Sequence, residues 1–248
     1  RGLIEQGKVR EARQYLLVAY KDCGAASENN AQFAQLEEEL GRLFGGPLRP
    51  RPADFETLEE LGDGNFSKIY KAKLKASGAL YAIKTIEVAT VERMKRRHRN
   101  IHNEILMEKR ALSRLNHPGI VTLFATFKDY GTLYYQMEFL PEGELWAKLQ
   151  EKDDSGDNDG TFGLSNSVGM ALSQARFVMA EALNALEYMH NQGIVHRDIK
   201  PENMLFTAAG HLKFVDFGTA KDLLQTDVKG PEFVGTPEYM APSALVSK

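Results

Sequence analysis

Residues 45–52, Gly-Gly-Pro-Leu-Arg-Pro-Arg-Pro, separate two parts of the chain that have different hydrophobic patterns. Their prolines and glycines prevent regular secondary structure and predict a stiff linker over residues 45–53. Apolar residues before the linker repeat at helical spacing, whereas short β-rich runs follow it. The pattern therefore predicts a helical unit, a linker and an α+β domain over residues 54–248, in which a strand-rich part precedes a helical part.

The first 44 residues are predicted to form a helical hairpin. Apolar residues recur every three to five positions from Leu3 to Ala19 and again from Phe33 to Leu43, and residues 23–30 supply turn chemistry. The first of these stretches weakly matches a tetratricopeptide helix, but one partial copy is not an array. We predict an amphipathic hairpin packed on its neighbour, with recruitment of a protein partner as the alternative.

Composition excludes several classes of protein. The chain has 248 residues, of which 43% are hydrophobic and 26% charged, and this excludes a disordered chain, a collagen-like fibre and a disulfide scaffold. The net charge of −3 gives no reason to expect nucleic acid as a partner. No apolar stretch is long enough to span a membrane. The single Cys23 cannot form an intrachain disulfide, which agrees with a cytoplasmic location.

The α+β domain begins with strands. Five β-rich runs are predicted, at residues 55–61, 68–74, 80–86, 120–127 and 132–139. Helical periodicity lies between the third and fourth runs and ends near Leu115, where Asn-His-Pro-Gly follows. The predicted order is thus three strands, a helix and two more strands.

A helix over residues 171–191 is predicted next, with one apolar face formed by Phe177, Ala180, Leu183, Leu186 and Met189. The preceding segment, about residues 152–168, is acidic and rich in glycine. Its alternating acidic residues partly resemble a calcium loop, but the glycine and terminal glutamate are not where coordination needs them. We predict a solvated insertion there.

Two features of the strand-rich part suit nucleotide chemistry. Gly62 and Gly64 lie between two predicted strands, where glycine lets backbone N–H groups approach phosphate oxygens, although such turns also close ordinary hairpins. Lys84 lies inside the third predicted strand and needs a counter-charge unless it extends to solvent from a sheet edge. Glu104 and Glu108, one turn apart on the following helix, are the candidate partners.

The most specific pattern is Val-His-Arg-Asp-Ile-Lys-Pro-Glu-Asn at residues 195–203, followed by Asp-Phe-Gly at 216–218. With Lys84, it resembles the eukaryotic protein kinases. The resemblance implies a bilobal fold, with a five-stranded antiparallel N-lobe sheet and C-helix over 54–139 and a helical C-lobe over 140–248. It also implies transfer of the ATP γ-phosphate to a protein hydroxyl, with Mg²⁺ as cofactor.

The resemblance implies roles for the matching residues. Asp198 accepts the proton of the substrate hydroxyl, Lys200 steadies the transferring phosphoryl group, and Asn203 and Asp216 hold Mg²⁺. Lys84 contacts the α- and β-phosphates. The carboxylate that holds Lys84 is assigned to Glu108 rather than Glu104, because Leu112 then takes the family's hydrophobic-spine position four residues later. His196 becomes a packed spine residue and not an acid or base.

The remaining ATP-binding positions also follow from the resemblance. The glycine-rich segment consists of Leu61, Gly62, Asp63, Gly64, Asn65, Phe66 and Ser67. The adenine would lie between Ile69 and Ala82 above and Leu205 below. Met137 would be the gatekeeper, Glu138 and Leu140 the hinge residues, and Glu144 the ribose contact.

The motif variants resemble one kinase group in particular. Lys200 within Asp-Ile-Lys-Pro-Glu-Asn is the serine/threonine form, and Gly-Thr-Pro-Glu-Tyr at residues 235–239 agrees. Asp-Phe-Gly-Thr-Ala-Lys at 216–221 and Phe-Val-Gly-Thr at 233–236 are similar to the phosphoinositide-dependent branch of the AGC group, as is Ser67 at the third glycine position. The implied substrates are proteins with Ser or Thr acceptors.

Two segments are candidates for regulation. Glu232 lies four residues before Thr236, where this branch usually has a phosphoserine, and its carboxylate facing Arg197 would partly order the loop. The alternative is a tolerated polar residue. The basic segment 93–99 precedes the C-helix, where related kinases dock a phosphorylated peptide, and a solvated helix face is the alternative.

Two departures from the family pattern concern the end of the chain. Ala-Pro-Ser at residues 241–243 stands where the family has Ala-Pro-Glu, and the resemblance stops at Lys248. We therefore expect a C-terminally truncated kinase with an incomplete C-lobe, poorly stable or inactive alone, whose membrane-recruiting regions would lie outside this chain. A nucleotide-binding, non-catalytic scaffold is the alternative. The presence of all four of Lys84, Asp198, Asn203 and Asp216 favours an enzyme.

Overall fold

The computed structural model describes residues 41, 46–47, 49–150, 169–225 and 234–246. The predicted N-terminal hairpin, the acidic insertion and Glu232 lie outside these residues. Contacts divide the described residues into two units, one formed by residues up to Thr90 together with Leu123–Glu138 and one by the remainder.

The first unit is an antiparallel sheet that confirms the five predicted strands. Its strand order is β1-β2-β3-β5-β4, with bounds β1 (Phe55–Asp63), β2 (Ser67–Leu74), β3 (Leu80–Glu87), β4 (Leu123–Asp129) and β5 (Thr132–Glu138). The fourth strand begins later than the predicted residue 120. The reason is that this segment pairs with Phe214 instead of joining the sheet: the Val121 N–H donates to the Phe214 carbonyl, and the Phe214 N–H donates to the Gly119 carbonyl.

One face of the sheet carries an aromatic layer. The ring of Phe127 is stacked against Phe55 at 6.1 Å and against Tyr134 at 5.0 Å, beside the buried Ile83. Side chains alternate across a strand, so the neighbours of Ile83, Ala82 and Lys84, lie on the opposite face. The aromatic layer thus leaves Lys84 on a separate surface of the sheet.

The second unit is mainly helical. Its helices are α2 (Ile101–Arg114), α3 (Leu145–Gln150), α4 (Leu172–Asn191) and α5 (Pro242–Val246), and α1 (Val88–Met94) starts in the first unit. Two short antiparallel pairs complete it, β6 (Ile194–Val195) with β9 (Lys221–Asp222) and β7 (Met204–Phe206) with β8 (Leu212–Phe214). Short 3₁₀ helices occur at Pro52–Asp54, Pro201–Asn203 and Pro237–Tyr239.

The contact-based division differs from the sequence-based one in the placement of α2. Residues 91–122 belong to the second unit, whereas the N-lobe expected from the sequence included them. The physical basis is visible at the end of α2, where Arg114 forms an ion pair with Asp222 of β9.

Helix α4 is present as predicted, but of the five residues of its predicted apolar face only Met189 is buried. Phe177 is 48% and Leu183 60% exposed, whereas Val178, Ala182, Ala185 and Met189 are buried. Small residues are needed where the helix approaches other backbone, because a Cβ at Gly119 would lie 2.9 Å from Cβ of Ala185. Apolar residues surround the helix on all sides, so periodicity alone does not define its buried face.

None of the helices in the described part of the chain is both long enough and apolar enough to span a membrane.

Candidate active site

The glycine-rich segment forms the turn between β1 and β2. Leu61, Gly62 and Asp63 end β1, residues 64–66 make the turn, and Ser67 and Ile69 belong to β2. The register pairs Gly62 with Ile69. A Cβ on Gly62 would meet no other described atom within 4 Å, and its φ is not in the left-handed region. Neither packing nor backbone conformation within the described chain therefore requires glycine at position 62.

The sheet places the other predicted nucleotide contacts of the first unit side by side. Ile69 pairs with Lys84, and Ala82 pairs with Met137, so these four positions share one face of β2, β3 and β5. Glu138 follows at the end of β5. Lys84 is only 7% exposed, and a buried ammonium group requires compensating charge.

In the second unit, the residues proposed for catalysis lie on a loop between β6 and β7. The 3₁₀ helix Pro201–Asn203 and the pairing of β7 with β8 fix the end of this loop, and the Val215 N–H donates to the Asn203 carbonyl at 3.0 Å. Arg197 and Asp216 both have positive φ, 67° and 55°. Such backbone conformations cost energy for residues other than glycine and are frequent at functional sites.

The Asp198 carboxylate is held by three side chains. Thr236 Oγ1 donates to its Oδ1 at 2.7 Å, and Asn203 Nδ2 donates to its Oδ2 at 3.0 Å and to its main-chain carbonyl at 2.8 Å. Lys200 Nζ lies 3.1 Å from Oδ2 and donates to Thr236 Oγ1 at 2.9 Å. Both carboxylate oxygens are therefore fixed in position.

The same contacts determine the protonation state of Asp198. Partial burial opposes ionisation, but hydrogen bonds from Thr236, Lys200 and Asn203, with the charge of Lys200, outweigh it and lower the pKa of Asp198. The carboxylate is consequently ionised at neutral pH and able to accept a proton.

His196 is buried and packs against the aromatic rings of Phe214 and Phe217. It is 1% exposed, and its ring lies 4.8 Å from the Phe217 ring and 5.7 Å from the Phe214 ring. Its Nε2 lies 2.9 Å from the Val215 carbonyl oxygen, and the Asp198 N–H donates to Nδ1 at 3.3 Å, which assigns the proton to Nε2. Burial lowers the pKa of His196, against the opposing hydrogen bond to Val215 and the charges of Asp216 and Asp198. This environment supports a neutral spine residue.

Asn203 and Asp216 both have side-chain oxygen atoms of the kind that Mg²⁺ binds. Because Asn203 Nδ2 donates to Asp198, a metal would bind this amide through Oδ1. Magnesium prefers oxygen ligands and often takes only one or two from the protein, the remainder coming from phosphates and water. Within the described ranges no group of three or more His, Cys, Asp or Glu residues forms a protein metal cage. The residues present fit a phosphate-shared magnesium ion.

The two candidate partners of Lys84 differ in environment. Glu108 of α2 is only 3% exposed, whereas Glu104 is partly exposed and lines a cavity of about 260 Å³ with Arg197 and Lys221. Burial raises the pKa of Glu104, opposed by His98 and reinforced by Asp216. Within the second unit, Glu108 is therefore the more deeply buried of the two carboxylates.

Backbone pairing brings together two predicted ATP-binding residues of the second unit, the ribose residue Glu144 and the adenine-floor residue Leu205. Leu140 is buried, and Glu144 forms an antiparallel bridge with Leu205 of β7. The Phe206 N–H donates to the Gly143 carbonyl at 2.9 Å, which extends this pairing. Glu144 and Leu205 are thus neighbours although 61 positions separate them in the sequence.

Arg197 is bonded to backbone within its own unit. Its Nε donates to the Thr219 carbonyl at 2.7 Å and Nη2 donates to the Ala220 carbonyl at 3.3 Å, while burial lowers its pKa. The predicted contact of Arg197 with Glu232 lies outside the described residues. Arg197 therefore links the catalytic loop to the segment after Asp216.

The sequence pattern of the protein kinase domain matches residues 55–248. The chain belongs to the protein kinase family. A cAMP-dependent protein kinase, catalytic subunit-like, from Caenorhabditis briggsae is 39% identical over 235 residues, which cover 90% of this chain and 55% of the relative. 3-Phosphoinositide-dependent protein kinase 1 from Rattus norvegicus is 36% identical over 231 residues, covering 91% and 37%. Human cAMP-dependent protein kinase catalytic subunit PRKX is 37% identical over 206 residues, covering 81% and 51%.

These similarities confirm the predicted resemblance to serine/threonine protein kinases of the AGC group and the α+β kinase fold. The phosphoinositide-dependent branch named from the sequence is represented among the relatives. Members of the family use ATP and typically Mg²⁺. The kinase chain spans between 37% and 55% of the length of the three relatives.

The structure adds residues of this kinase domain that sequence reasoning did not connect. Thr236 was expected only to have a regulatory role, yet its hydroxyl contacts both Asp198 and Lys200. Glu202, next to Asn203, has a buried Oε2 without a hydrogen-bond partner among the described residues. Asp222 is buried and paired with Arg114. In the sequence, Asp222 is marked only by its position directly after Asp-Phe-Gly-Thr-Ala-Lys at residues 216–221, and nothing there indicates its pairing with Arg114.

Proposed function

We propose that this chain is the catalytic domain of a serine/threonine protein kinase that transfers the γ-phosphate of ATP to a protein hydroxyl. The observation that carries the proposal is the fixed, ionised Asp198 carboxylate beside Lys200. The relatives are named as protein kinases, and every residue that the family's chemistry needs at Lys84, Asp198, Asn203 and Asp216 is present.

Asp198 would act as the base. It would accept the proton of a Ser or Thr hydroxyl as that oxygen bonds to the γ-phosphorus and the bond to the departing ADP breaks. The lowered pKa of Asp198 keeps it ionised before the reaction. Lys200 supplies a positive charge beside the same carboxylate and would stabilise the transferring phosphoryl group. Thr236 and Asn203 orient the carboxylate by hydrogen bonds.

Each unit carries residues that match the family's nucleotide-binding positions. In the first unit, neither packing nor φ within the described residues requires glycine at position 62. Glycine there would allow a phosphate group to approach the backbone N–H groups closely. Lys84 would contact the phosphates, whose negative charge would compensate its buried ammonium group. Asn203 and Asp216 would hold Mg²⁺, which when bound neutralises phosphate charge. The adenine, hinge and ribose positions named from the resemblance complete the proposed site.

The proposed substrate class is a protein with a Ser or Thr acceptor, as in the relative named as a serine/threonine-protein kinase homolog. The low net charge of −3 supports protein substrates over nucleic acid.

We place the protein in the cytoplasm. A docking peptide that binds the exposed segment 93–99 is a further proposed partner.

The experiment is a transfer assay with γ-labelled ATP, Mg²⁺ and peptides carrying Ser, Thr or Tyr. Label on Ser and Thr is expected, and Lys84→Met should lower the rate roughly 100-fold or more. Lys128→Met, which removes an exposed lysine from β4, is the matched control and should leave the rate unchanged. Label on Tyr would contradict the substrate class. Nucleotide binding without transfer would support the non-catalytic scaffold instead.

A further inference from the structure

The end of α2 is joined to β9 by an ion pair that the proposed chemistry does not use. Arg114 Nη1 lies 2.5 Å from Oδ2 of Asp222. Arg114 Nη2 also donates to the Gln192 carbonyl at 2.8 Å, directly after α4. One guanidinium therefore connects the ends of two helices to the short strand that follows Asp216.

Burial makes this ion pair a strong constraint on β9. The Asp222 side chain is 4% exposed, and its second oxygen, Oδ1, accepts the Leu224 N–H at 3.1 Å. Both carboxylate oxygens are thus bonded. A buried carboxylate without a charged partner is highly unfavourable, so β9 keeps this position only while Arg114 supplies the counter-charge.

A second contact acts in the same place. Arg110, one turn before Arg114 on α2, donates to Oε1 of Gln225. Residues four positions apart lie on the same helix face, so one face of α2 holds the chain at two points, 222 and 225. On its other side, β9 pairs with β6.

We propose that Arg114 is a positioning residue for phosphate transfer. Its ion pair with Asp222 fixes β9, and with it the segment that starts at Asp216, relative to the helix that carries Glu108. Arg114 itself touches no reacting atom. This inference rests on the proposed kinase function, because it assigns Arg114 a role in aligning the proposed metal ligand and the proposed partner of Lys84.

The test uses four variants of the whole chain. Arg114→Met removes the charge and keeps most of the side-chain length, Arg114→Lys keeps the charge, and Asp222→Asn keeps the shape. The fourth is Lys109→Met, which removes an exposed charge from the same helix and is the matched control. For each variant, kcat and the KM for ATP are measured per folded molecule, together with hydrogen exchange of residues 172–191 and 216–225.

The expected results separate positioning from stability. Arg114→Met and Asp222→Asn should each lower kcat/KM for ATP roughly tenfold or more, and combining them should lower it little further, because they break the same pair. Exchange should become faster at 216–225 but not in the core of α4. Arg114→Lys should restore part of the activity, and Lys109→Met should match the unchanged chain.

Several outcomes would overturn the proposal. One is a lower melting temperature with unchanged kcat and KM per folded molecule, which would make the pair merely structural. Another is additive loss in the double variant. If Arg114→Met fails to fold, normal kcat/KM in both Arg114→Lys and Asp222→Asn overturns it. If the unchanged chain shows no transfer, the kinase proposal itself fails. In that case, hydrogen exchange at residues 216–225 that is the same in the Arg114 and Asp222 variants as in the unchanged chain overturns the positioning role separately.

Discussion

At the scale of single residues, the chemistry centres on one carboxylate whose charge is set by its neighbours. Partial burial alone would raise the pKa of Asp198, but hydrogen bonds from Thr236, Lys200 and Asn203 reverse the direction. Among these donors, the Thr236 hydroxyl is the most distant in sequence and belongs to a different loop. The alignment of the proposed base therefore depends on a residue that does not itself react.

Replacement of Thr236 by valine should test this dependence. Valine keeps the shape but removes the donor to Asp198, so we expect kcat to fall roughly 10- to 100-fold. Loss of the donor raises the pKa of Asp198, so the acid limb of the pH–rate profile should move to higher pH. Thr236→Ser, which keeps the hydroxyl, is the control. An unchanged acid limb in Thr236→Val would show that the hydroxyl does not influence the base.

His196 should make stability depend on pH. Burial lowers its pKa in the folded chain, so the unfolded chain binds the proton more readily. Stability contributed by the neutral ring is present above the unfolded pKa of about 6.5 and is lost as pH falls toward the lower folded value. Denaturant unfolding at several pH values between 5 and 8 should show this loss. His196→Gln should reduce it, while His190→Gln, at an exposed position, should not.

At the scale of secondary structure, the strands were predictable and one helix face was not. Short β-rich runs separated by turn residues identify each strand of the five-stranded sheet, although burial does not alternate along β1, β3 or β5. Ile120 and Val121 have the same β-rich character, but their segment pairs with Phe214 through hydrogen bonds of Gly119 and Val121. In α4, Ala185 is selected by the closeness of Gly119, a contact between residues far apart in sequence.

The loop that carries Thr236 depends on Gly235. Gly235 has a φ of 107°, and a Cβ there would lie 2.4 Å from the Arg197 carbonyl oxygen. Gly235→Ala should therefore destabilise the loop by about 2–3 kcal/mol and reduce transfer activity.

Gly210 offers a matched control for that change. Its φ is 80°, but no described atom lies within 4 Å of its Cβ position. Gly210→Ala should cost only about 1 kcal/mol and leave activity unchanged, which is measured by denaturant unfolding and the transfer assay. Equal effects of both substitutions would show that the close approach to Arg197 is unimportant.

At the scale of the whole molecule, the sequence motif identifies the reacting groups but not the contacts that support them. The short spacing from Asp198 to Asn203 makes their contact predictable from the motif. The contacts of Thr236 with Asp198 and of Arg114 with Asp222 join residues 38 and 108 positions apart, where no local pattern applies. Two-residue strands such as β6 and β9 are likewise too short for periodicity to indicate.

The central claim is that Asp198 is the base of a protein kinase. The most direct measurement is single-turnover phosphate transfer by Asp198→Asn, with nucleotide affinity measured separately on the same protein. Asparagine keeps the shape but cannot accept the proton, so we predict unchanged nucleotide affinity and a transfer rate lowered roughly 10²- to 10⁴-fold. Transfer at the rate of the unchanged chain would contradict the claim.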